Sequence, residues 1–222
     1  MKLETRLADW FSSRFPAGFS AIQKRALPHT LRGENTLILA PTGSGKTLAA
    51  FLSVLNDLAR ARDLPNAVRA VYVSPLRSLT RDIDRNLAAP LAAINADGRI
   101  RMEVRTGDTT AAQRAKLARR RPHLLLTTPE SLAALLSQSP WKDGFDVRTI
   151  IVDEVHSFAE NKRGSLLSLV IERLEHRLQR RVQRIGLSAT AAPPEAAASL
   201  ICGVDRPYRL AAVPAHKAHR LE

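Results

Sequence analysis

The chain has one cysteine, Cys202, so the sequence excludes a disulfide framework and a metal site built from several thiolates. It has no apolar run long enough to span a bilayer, which argues against a transmembrane helix. Residues 1–14 mix polar and apolar side chains and do not place a basic segment before an apolar one, so they do not resemble a signal peptide. Sequence repeats of the solenoid type are also absent. These absences predict a cytoplasmic protein with a buried, inert thiol.

Acidic residues are also scarce, since 21 Asp and Glu stand against 34 Lys and Arg and the formal net charge is +13. Such an excess favours an anionic polymer as partner, most often nucleic acid, although a basic protein without a polymer ligand remains an alternative. The 222 residues, 45% of them apolar, are enough for one large domain or for one domain with a small appendage.

The segment 36–51 organises the rest of the chain. Its apolar run at 37–39 predicts a buried strand, and residues 48–55 predict a helix. Gly43, Ser44 and Gly45 lie between them and predict a tight turn. A strand, a glycine-rich turn and a helix N-terminus leave several backbone N–H groups pointing into one hollow, where the helix dipole also favours anions. This segment is therefore predicted to bind a polyphosphate.

Two side chains at the start of that helix complete the pattern. Lys46 is placed to reach the β- and γ-phosphates of a nucleotide, and the Thr47 hydroxyl is placed to bind Mg²⁺. Together they form a Walker A motif with one departure, because Ala40 stands where a glycine is usual. We therefore predict a nucleotide and Mg²⁺ as ligands.

After this loop, apolar strands alternate with helices along the chain. Such alternation predicts an α/β fold with a mostly parallel central sheet and helices on both faces, in which ligands gather at the carboxyl ends of the strands. The predicted strands are 70–73, 100–104, 124–127, 149–152 and 185–187, and the predicted helices between them are 76–94, 110–120, 131–137 and 165–180. Before the loop, the apolar spacing predicts one helix in the first dozen residues and a second over 20–31.

Two adjacent carboxylates follow the predicted strand 149–152. Asp153 is predicted to hold Mg²⁺ through its water shell, and Glu154 to orient and deprotonate an attacking water. His156 is placed to bond to a neighbouring strand end, and residues 187–190 supply two hydroxyls there, those of Ser188 and Thr190.

Three further loops are candidates for contact with a phosphate backbone. Residues 74–79 open a helix on which Arg77, Arg81 and Arg85 share one face, although a solvated basic stripe explains that spacing equally. Residues 105–108 and 127–131 are the other two, and each alone is also typical of an ordinary cap and turn.

In order and spacing, residues 40–47, 74–79, 127–132, 153–156 and 188–190 resemble motifs I, Ia, Ib, II and III of superfamily 2 helicases. Residues 72–87, 104–110 and 152–164 resemble, within that superfamily, the Lhr-type (long helicase-related) DNA helicases. The resemblance implies a P-loop NTPase (RecA-like) domain that hydrolyses ATP, translocates 3′ to 5′ and separates strands of DNA, with RNA as a possible substrate.

The same resemblance implies roles for individual residues. Taken alone, Gln23 is more typical of a helix surface. The resemblance implies that its side chain recognises the adenine base. The implied nucleotide-binding residues are Gln23, Thr42, Gly43, Ser44, Gly45, Lys46 and Thr47; the implied metal-binding residues are Thr47 and Asp153. The catalytic residues are Lys46, Asp153 and Glu154, the coupling residues His156, Ser188 and Thr190, and the nucleic-acid contacts Pro75, Arg77, Arg105, Thr128 and Pro129.

The predicted organisation is a pair of N-terminal helices over 1–34, a first RecA-like domain over 35–209 and a linker over 210–222 towards a second RecA-like domain. Two other classes of function stay open. One is a DEAD-box-like RNA chaperone that melts short duplexes, although His156 stands where such proteins have Asp. The other is a non-catalytic nucleotide-binding module that acts with another subunit.

Overall fold

The computed structural model describes residues 2–75, 87–159, 161–189 and 193–214. In these residues the strands are β1 Thr36–Leu39, β2 Val68–Val73, β3 Met102–Arg105, β4 Leu124–Thr127, β5 Phe145–Val152, β6 Gln183–Ser188 and β7 Arg209–Ala212. The α-helices are α1 Thr5–Arg14, α2 Ala21–Thr30, α3 Lys46–Arg60, α4 Ala88–Ile94, α5 Ala111–Arg119, α6 Pro129–Leu136, α7 Lys162–Leu178 and α8 Pro194–Cys202.

The strands form one sheet in the order β3-β4-β2-β5-β6-β1-β7, and every pair of neighbours is parallel. Successive residues of a strand point to opposite faces, so Ile38 and Leu37 enter different cores. One core packs against α1 to α4 and the other against α5 to α8. Strands β1 and β4 are buried at every position, because both faces of the sheet are covered there. The predicted α/β fold is confirmed.

The structure differs from the sequence prediction at the end of the chain. Strand β7 pairs with β1, with Thr36 opposite Arg209 and Leu39 opposite Ala212. The sheet therefore continues past residue 209, where the sequence had placed the end of the domain, and residues 210–212 are not linker. The sequence did not predict β7 because only one of its residues, Ala211, is buried. Helix α8 was not predicted either.

No helix in the described ranges combines the length and the apolar character needed to cross a membrane.

Candidate functional site

The carboxyl edge of the sheet divides into two adjacent halves. Strands β5, β6 and β1 are neighbours and lead to the predicted nucleotide-site segments, which follow residues 152, 188 and 39. Strands β3, β4 and β2 are neighbours and lead to the segments predicted to contact nucleic acid. The border between the halves is the β2–β5 pair, where Tyr72 lies opposite Ile151. The strand order thus places each predicted set of residues together.

The loop between β1 and α3 has the geometry of an anion-binding turn. Gly43 has a φ of 82° and Gly45 a φ of 91°, a region that residues with a Cβ rarely adopt. Gly45 is the N-cap of α3, and no side chain caps the first N–H groups of that helix. Lys46, the first residue of α3, is only 5% exposed. Uncapped N–H groups and a confined ammonium beside them suit a polyphosphate.

The side chains of this loop fit a phosphate ligand as well. The Ser44 hydroxyl is buried and has no hydrogen-bond partner in the described structure. A buried hydroxyl without a partner is costly, and a phosphate oxygen in the hollow would satisfy it. Thr42 is exposed and Thr47 partly buried, so both are accessible to a ligand.

Helix α2 is fastened to this loop through its first turn. Ser20 and Gln23 form a capping box, in which the Gln23 amide oxygen accepts from the Ser20 N–H at 2.9 Å. The Gln23 amide nitrogen donates to the Gly45 carbonyl at 3.4 Å, and the Ser20 hydroxyl donates to the Ser44 carbonyl at 3.0 Å. Both ends of the Gln23 amide are therefore engaged within the protein, and its reading of adenine stays a prediction.

Asp153 follows β5 and is almost fully buried, with 3% of its surface exposed. Its N–H donates to the Val73 carbonyl at 2.8 Å. One carboxylate oxygen accepts from the Tyr72 hydroxyl at 2.6 Å, and the other accepts from the Glu154 N–H at 2.7 Å. Burial raises the pKa of Asp153, and these two hydrogen bonds together with the Lys46 charge counteract that rise. The aspartate is held in one orientation at the border of the two halves.

Tyr72 is a residue that the sequence analysis missed. It lies in an apolar strand, and the apolar pattern of that strand indicates only that the residue is buried. The available signal was chemical, since a buried tyrosine hydroxyl usually finds a hydrogen-bond partner.

Glu154 and His156 form a short chain of contacts towards β6. Glu154 has a φ of 51°, an unusual conformation for a residue with a side chain, and it turns the backbone into the 3₁₀ turn Val155–Ser157. His156 Nε2 lies 3.1 Å from Glu154 Oε2, and His156 Nδ1 lies 3.2 Å from Ser188 Oγ. The predicted contact between His156 and the end of β6 is confirmed. Thr190 lies outside the described residues.

The described residues contain no cluster of three or more His, Cys, Asp or Glu side chains suited to a metal ion. Mg²⁺ does not need such a cluster, because it keeps several waters and is usually held by one or two carboxylates together with substrate phosphates. Asp153 and Thr47 fit that mode of binding.

In the other half of the edge, two of the predicted nucleic-acid contacts, Arg105 and Thr128, are buried. Thr128 is the N-cap of α6 and accepts from the Ser131 N–H at 3.3 Å, and Pro129 begins that helix. Thr128 is 5% exposed and Arg105 is 4% exposed. Arg105 Nη1 donates to the Thr106 carbonyl at 3.3 Å, while its Nε has no partner in the described part of the chain. Burial, with the charge of Arg114, lowers the pKa of Arg105. Their nucleic-acid contacts stay predictions.

Pro75 is the last described residue before a gap, and Arg77 lies outside the described residues.

Besides the β2–β5 pair, a salt bridge after the Asp153 loop connects the two halves of the edge. Arg163, at the start of α7, forms a salt bridge of 2.6 Å with Glu130 in the first turn of α6. Its guanidinium also lies 5.5 Å from the centre of the Phe158 ring. Gly164 lets the start of α7 lie against the backbone of Phe158, because a Cβ at residue 164 would lie 2.0 Å from the Phe158 carbonyl oxygen. Arg163 therefore pairs across the border between the two halves of the edge.

Over nearly its whole length the chain is similar in sequence to known helicases. The family model described as DEAD/DEAH box helicase matches residues 20–198. The chain is 46% identical to an ATP-dependent helicase Lhr-Core of Methanothermobacter thermautotrophicus over 89% of its length and 24% of that protein. It is 43% identical to an Lhr helicase/probable uracil glycosylase of Mycolicibacterium smegmatis over 96% of its length and 15% of that protein.

The chain is also similar to solved structures of helicases. The Mycobacterium smegmatis helicase Lhr bound to ssDNA and AMP-PNP superposes with a TM-score of 0.86 and 41% identity, covering 96% of this chain and 28% of that one. The DEAD-box helicase Mss116 shares the fold at a TM-score of 0.76 and 20% identity, over 94% of this chain and 42% of that one. This chain thus spans about a quarter or less of the Lhr proteins it matches. From its fold, its motifs and these matches, the chain belongs to the DEAD/DEAH box helicase family.

Proposed function

We propose that this chain is the ATP-binding, first RecA-like domain of an Lhr-type ATP-dependent DNA helicase. The observation that carries the proposal is the convergence of the phosphate loop, Asp153, Glu154 and the His156–Ser188 contact on three neighbouring strand ends. The names of the similar Lhr proteins support the same function.

In this proposal the residues of the phosphate loop and α3 hold the nucleotide. The N–H groups at the start of α3 and the Lys46 ammonium bind its phosphates, and Thr47 and Asp153 hold Mg²⁺. Bound Mg²⁺ supplies charge that offsets the negative charge developing on the phosphoryl oxygens. Glu154 accepts a proton from the attacking water, and His156 holds the Glu154 carboxylate in place from the side of β6.

The polymer is proposed to lie across the half of the edge formed by β2, β4 and β3. The similar Lhr structure is described as bound to ssDNA, which supports a single strand of DNA as the ligand here. Movement from 3′ to 5′ and strand separation belong to the same proposal, and RNA stays possible. The protein is proposed to act in the cytoplasm.

A second RecA-like domain is proposed to complete the motor. The Lhr proteins are several times longer than this chain, which agrees with further domains acting with it. If the chain is instead a non-catalytic nucleotide-binding module, it binds nucleotide but does not need the Glu154 carboxylate.

The proposal is tested by two substitutions with opposite consequences. Lys46→Ala removes a charge-assisted contact to the phosphates, so affinity for a fluorescent ATP analogue should fall about tenfold or more. Glu154→Gln keeps the shape and polarity of the site but removes the base, so binding should persist while single-turnover hydrolysis falls about 10²-fold or more.

Matched controls are Lys116→Ala and Glu195→Gln, which alter exposed side chains of the same type on α5 and α8. Both controls should behave like the wild-type chain. Equal nucleotide affinity of the wild-type chain and Lys46→Ala would contradict the assignment of the phosphate site. Unchanged hydrolysis by Glu154→Gln would favour a different base.

A further inference from the structure

Tyr72 is the one tyrosine of the chain that lies at the candidate site; the other tyrosine, Tyr208, precedes β7. The Tyr72 side chain is fully buried near the carboxyl end of β2. Its ring centre lies 4.9 Å from that of Phe51 in α3, the helix that begins with Lys46. Its hydroxyl donates to Asp153 Oδ2 at 2.6 Å. Tyr72 therefore contacts both the helix of the phosphate loop and the acid after β5.

The hydroxyl, and not the ring, needs an explanation. The ring packs in an apolar core with Leu126 and Ile151, where a phenylalanine would bury the same ring without a polar atom. Placing a hydroxyl there is costly unless it is hydrogen-bonded, and the Asp153 carboxylate accepts such a bond from it. The hydroxyl is therefore linked to the candidate site as well as to the core around its ring.

What the hydroxyl does is fix the rotation of a carboxylate. Asp153 has two oxygens, of which Oδ1 accepts from the Glu154 N–H at 2.7 Å and Oδ2 accepts from Tyr72. With both oxygens held, the plane of the carboxylate is set, and each oxygen keeps a lone pair for another donor. With only the Glu154 contact left, the group could rotate about its Cβ–Cγ bond.

Orientation matters because of the ion that Asp153 is proposed to serve. Mg²⁺ requires near-ideal octahedral geometry, so waters of its shell need acceptors in defined directions. Groups that orient such acceptors change metal affinity about 10- to 100-fold when they are removed.

We propose that Tyr72 is a positioning residue that orients the Asp153 carboxylate towards the Mg²⁺ of the bound nucleotide, an inference that rests on the proposed function. The contact crosses the β2–β5 border. It joins Asp153, the proposed metal-binding residue, to β2, which leads to Pro75 and to the half of the edge predicted to contact nucleic acid.

The test is the gain in ADP affinity that Mg²⁺ produces, measured by calorimetry on the whole 222-residue chain with Mg²⁺ and with EDTA. Tyr72→Phe should leave the affinity in EDTA unchanged and reduce the gain from Mg²⁺ about tenfold. Tyr208→Phe is the matched control and should keep the full gain. Thermal unfolding of all three proteins shows whether each is folded.

A second variant separates positioning from a general effect on the core. In an Asp153→Asn background the group that Tyr72 orients is altered, so adding Tyr72→Phe should cause no further loss of the gain from Mg²⁺. A further loss, or a fall in affinity that is equal with Mg²⁺ and with EDTA, would overturn the positioning role. A full gain in Tyr72→Phe would overturn it too.

The failure of the proposed function looks different. It would appear as a wild-type chain that binds no ADP under either condition, whereas the positioning role is judged only against a wild-type chain that binds.

Discussion

At the scale of single residues, His123 is a buried base among arginines. Its side chain is fully buried before β4, and its Nδ1 accepts from the Arg101 N–H at 3.1 Å. Burial, together with the charges of Arg101, Arg69 and Arg120, lowers the pKa of His123 to about 4. The folded protein therefore resists protonation of a group that protonates readily in the unfolded chain.

This difference predicts how stability depends on pH. The ordinary histidine pKa is about 6.5, so the contribution of His123 is fully present above that value and is lost as pH falls towards 4. Between about pH 7.5 and about pH 5, the loss from His123 should be about 2 kcal/mol of unfolding free energy. His123→Asn, which keeps an acceptor for the Arg101 N–H, should remove that part of the pH dependence in urea unfolding.

The matched control is His176→Asn, an exposed position in the last turn of α7, which should keep the wild-type loss. If His123→Asn lost as much stability as the wild-type chain over this pH range, the buried histidine would not be its source.

At the residue level, the sequence predicted local geometry where a motif specifies it, and the roles of the site residues stay predictions. The phosphate loop and the contact between His156 and Ser188 are in place. Tyr72 was not found, because periodicity shows which face of a strand is buried but not which buried hydroxyl meets which carboxylate. The capping role of Gln23 was missed although a serine and a glutamine three residues apart are its usual signal.

At the scale of elements, two helices begin with the same device. Helix α2 has a capping box of Ser20 and Gln23, and α5 has one of Thr110 and Gln113. The two differ in what else they contact, because the Ser20 hydroxyl also donates to the Ser44 carbonyl of the phosphate loop. Helix α5 has no such link to the loop in the described structure.

The pair gives a test of what the α2 cap contributes. Ser20→Ala and Thr110→Ala should each lower the unfolding free energy by about 1 kcal/mol, since each removes one N-cap hydroxyl. Only Ser20→Ala should also weaken nucleotide binding, because it alone releases the Ser44 carbonyl. Urea unfolding and ADP titration of both variants check this. Equal nucleotide affinity of the two variants would mean that α2 does not influence the phosphate loop.

The two elements that the sequence did not reveal, β7 and α8, differ in how much signal they carry. Strand β7 contains two alanines and one buried residue, so it shows neither strong β-propensity nor a clear alternation. Its place is decided by β1, which offers it an open edge. Helix α8 did carry signals, with Pro194 at its first position and Gly203 after its last residue.

At the scale of the whole molecule, the carboxyl edge supplies the phosphate site from one side. Lys46, Asp153 and Glu154 come from β1 and β5, and Arg163, the arginine that follows the Asp153 loop, is paired with Glu130. An arginine that approaches the γ-phosphate from the opposite side is worth on the order of 10³ to 10⁵ in rate. In the proposed motor a second domain supplies that group.

The 222-residue chain alone should therefore bind nucleotide but hydrolyse ATP very slowly, and single-stranded DNA should not stimulate it. A steady-state ATPase assay with and without DNA measures this, with Glu154→Gln as the blank for contaminating activity. Turnover of about one per second with clear stimulation by DNA would show that the missing charge is supplied in trans by another copy.

The pairing of β7 with β1 has a mechanical consequence. Tension applied to the chain beyond Ala212 along the strand direction would load the β1–β7 hydrogen bonds in shear, so that they share the force and do not break one at a time. Strand β1 is also the strand from which the phosphate loop leaves. A pull on the segment after β7 would thus be borne first by the strand that carries the proposed nucleotide site, with β6 paired to it on the other side.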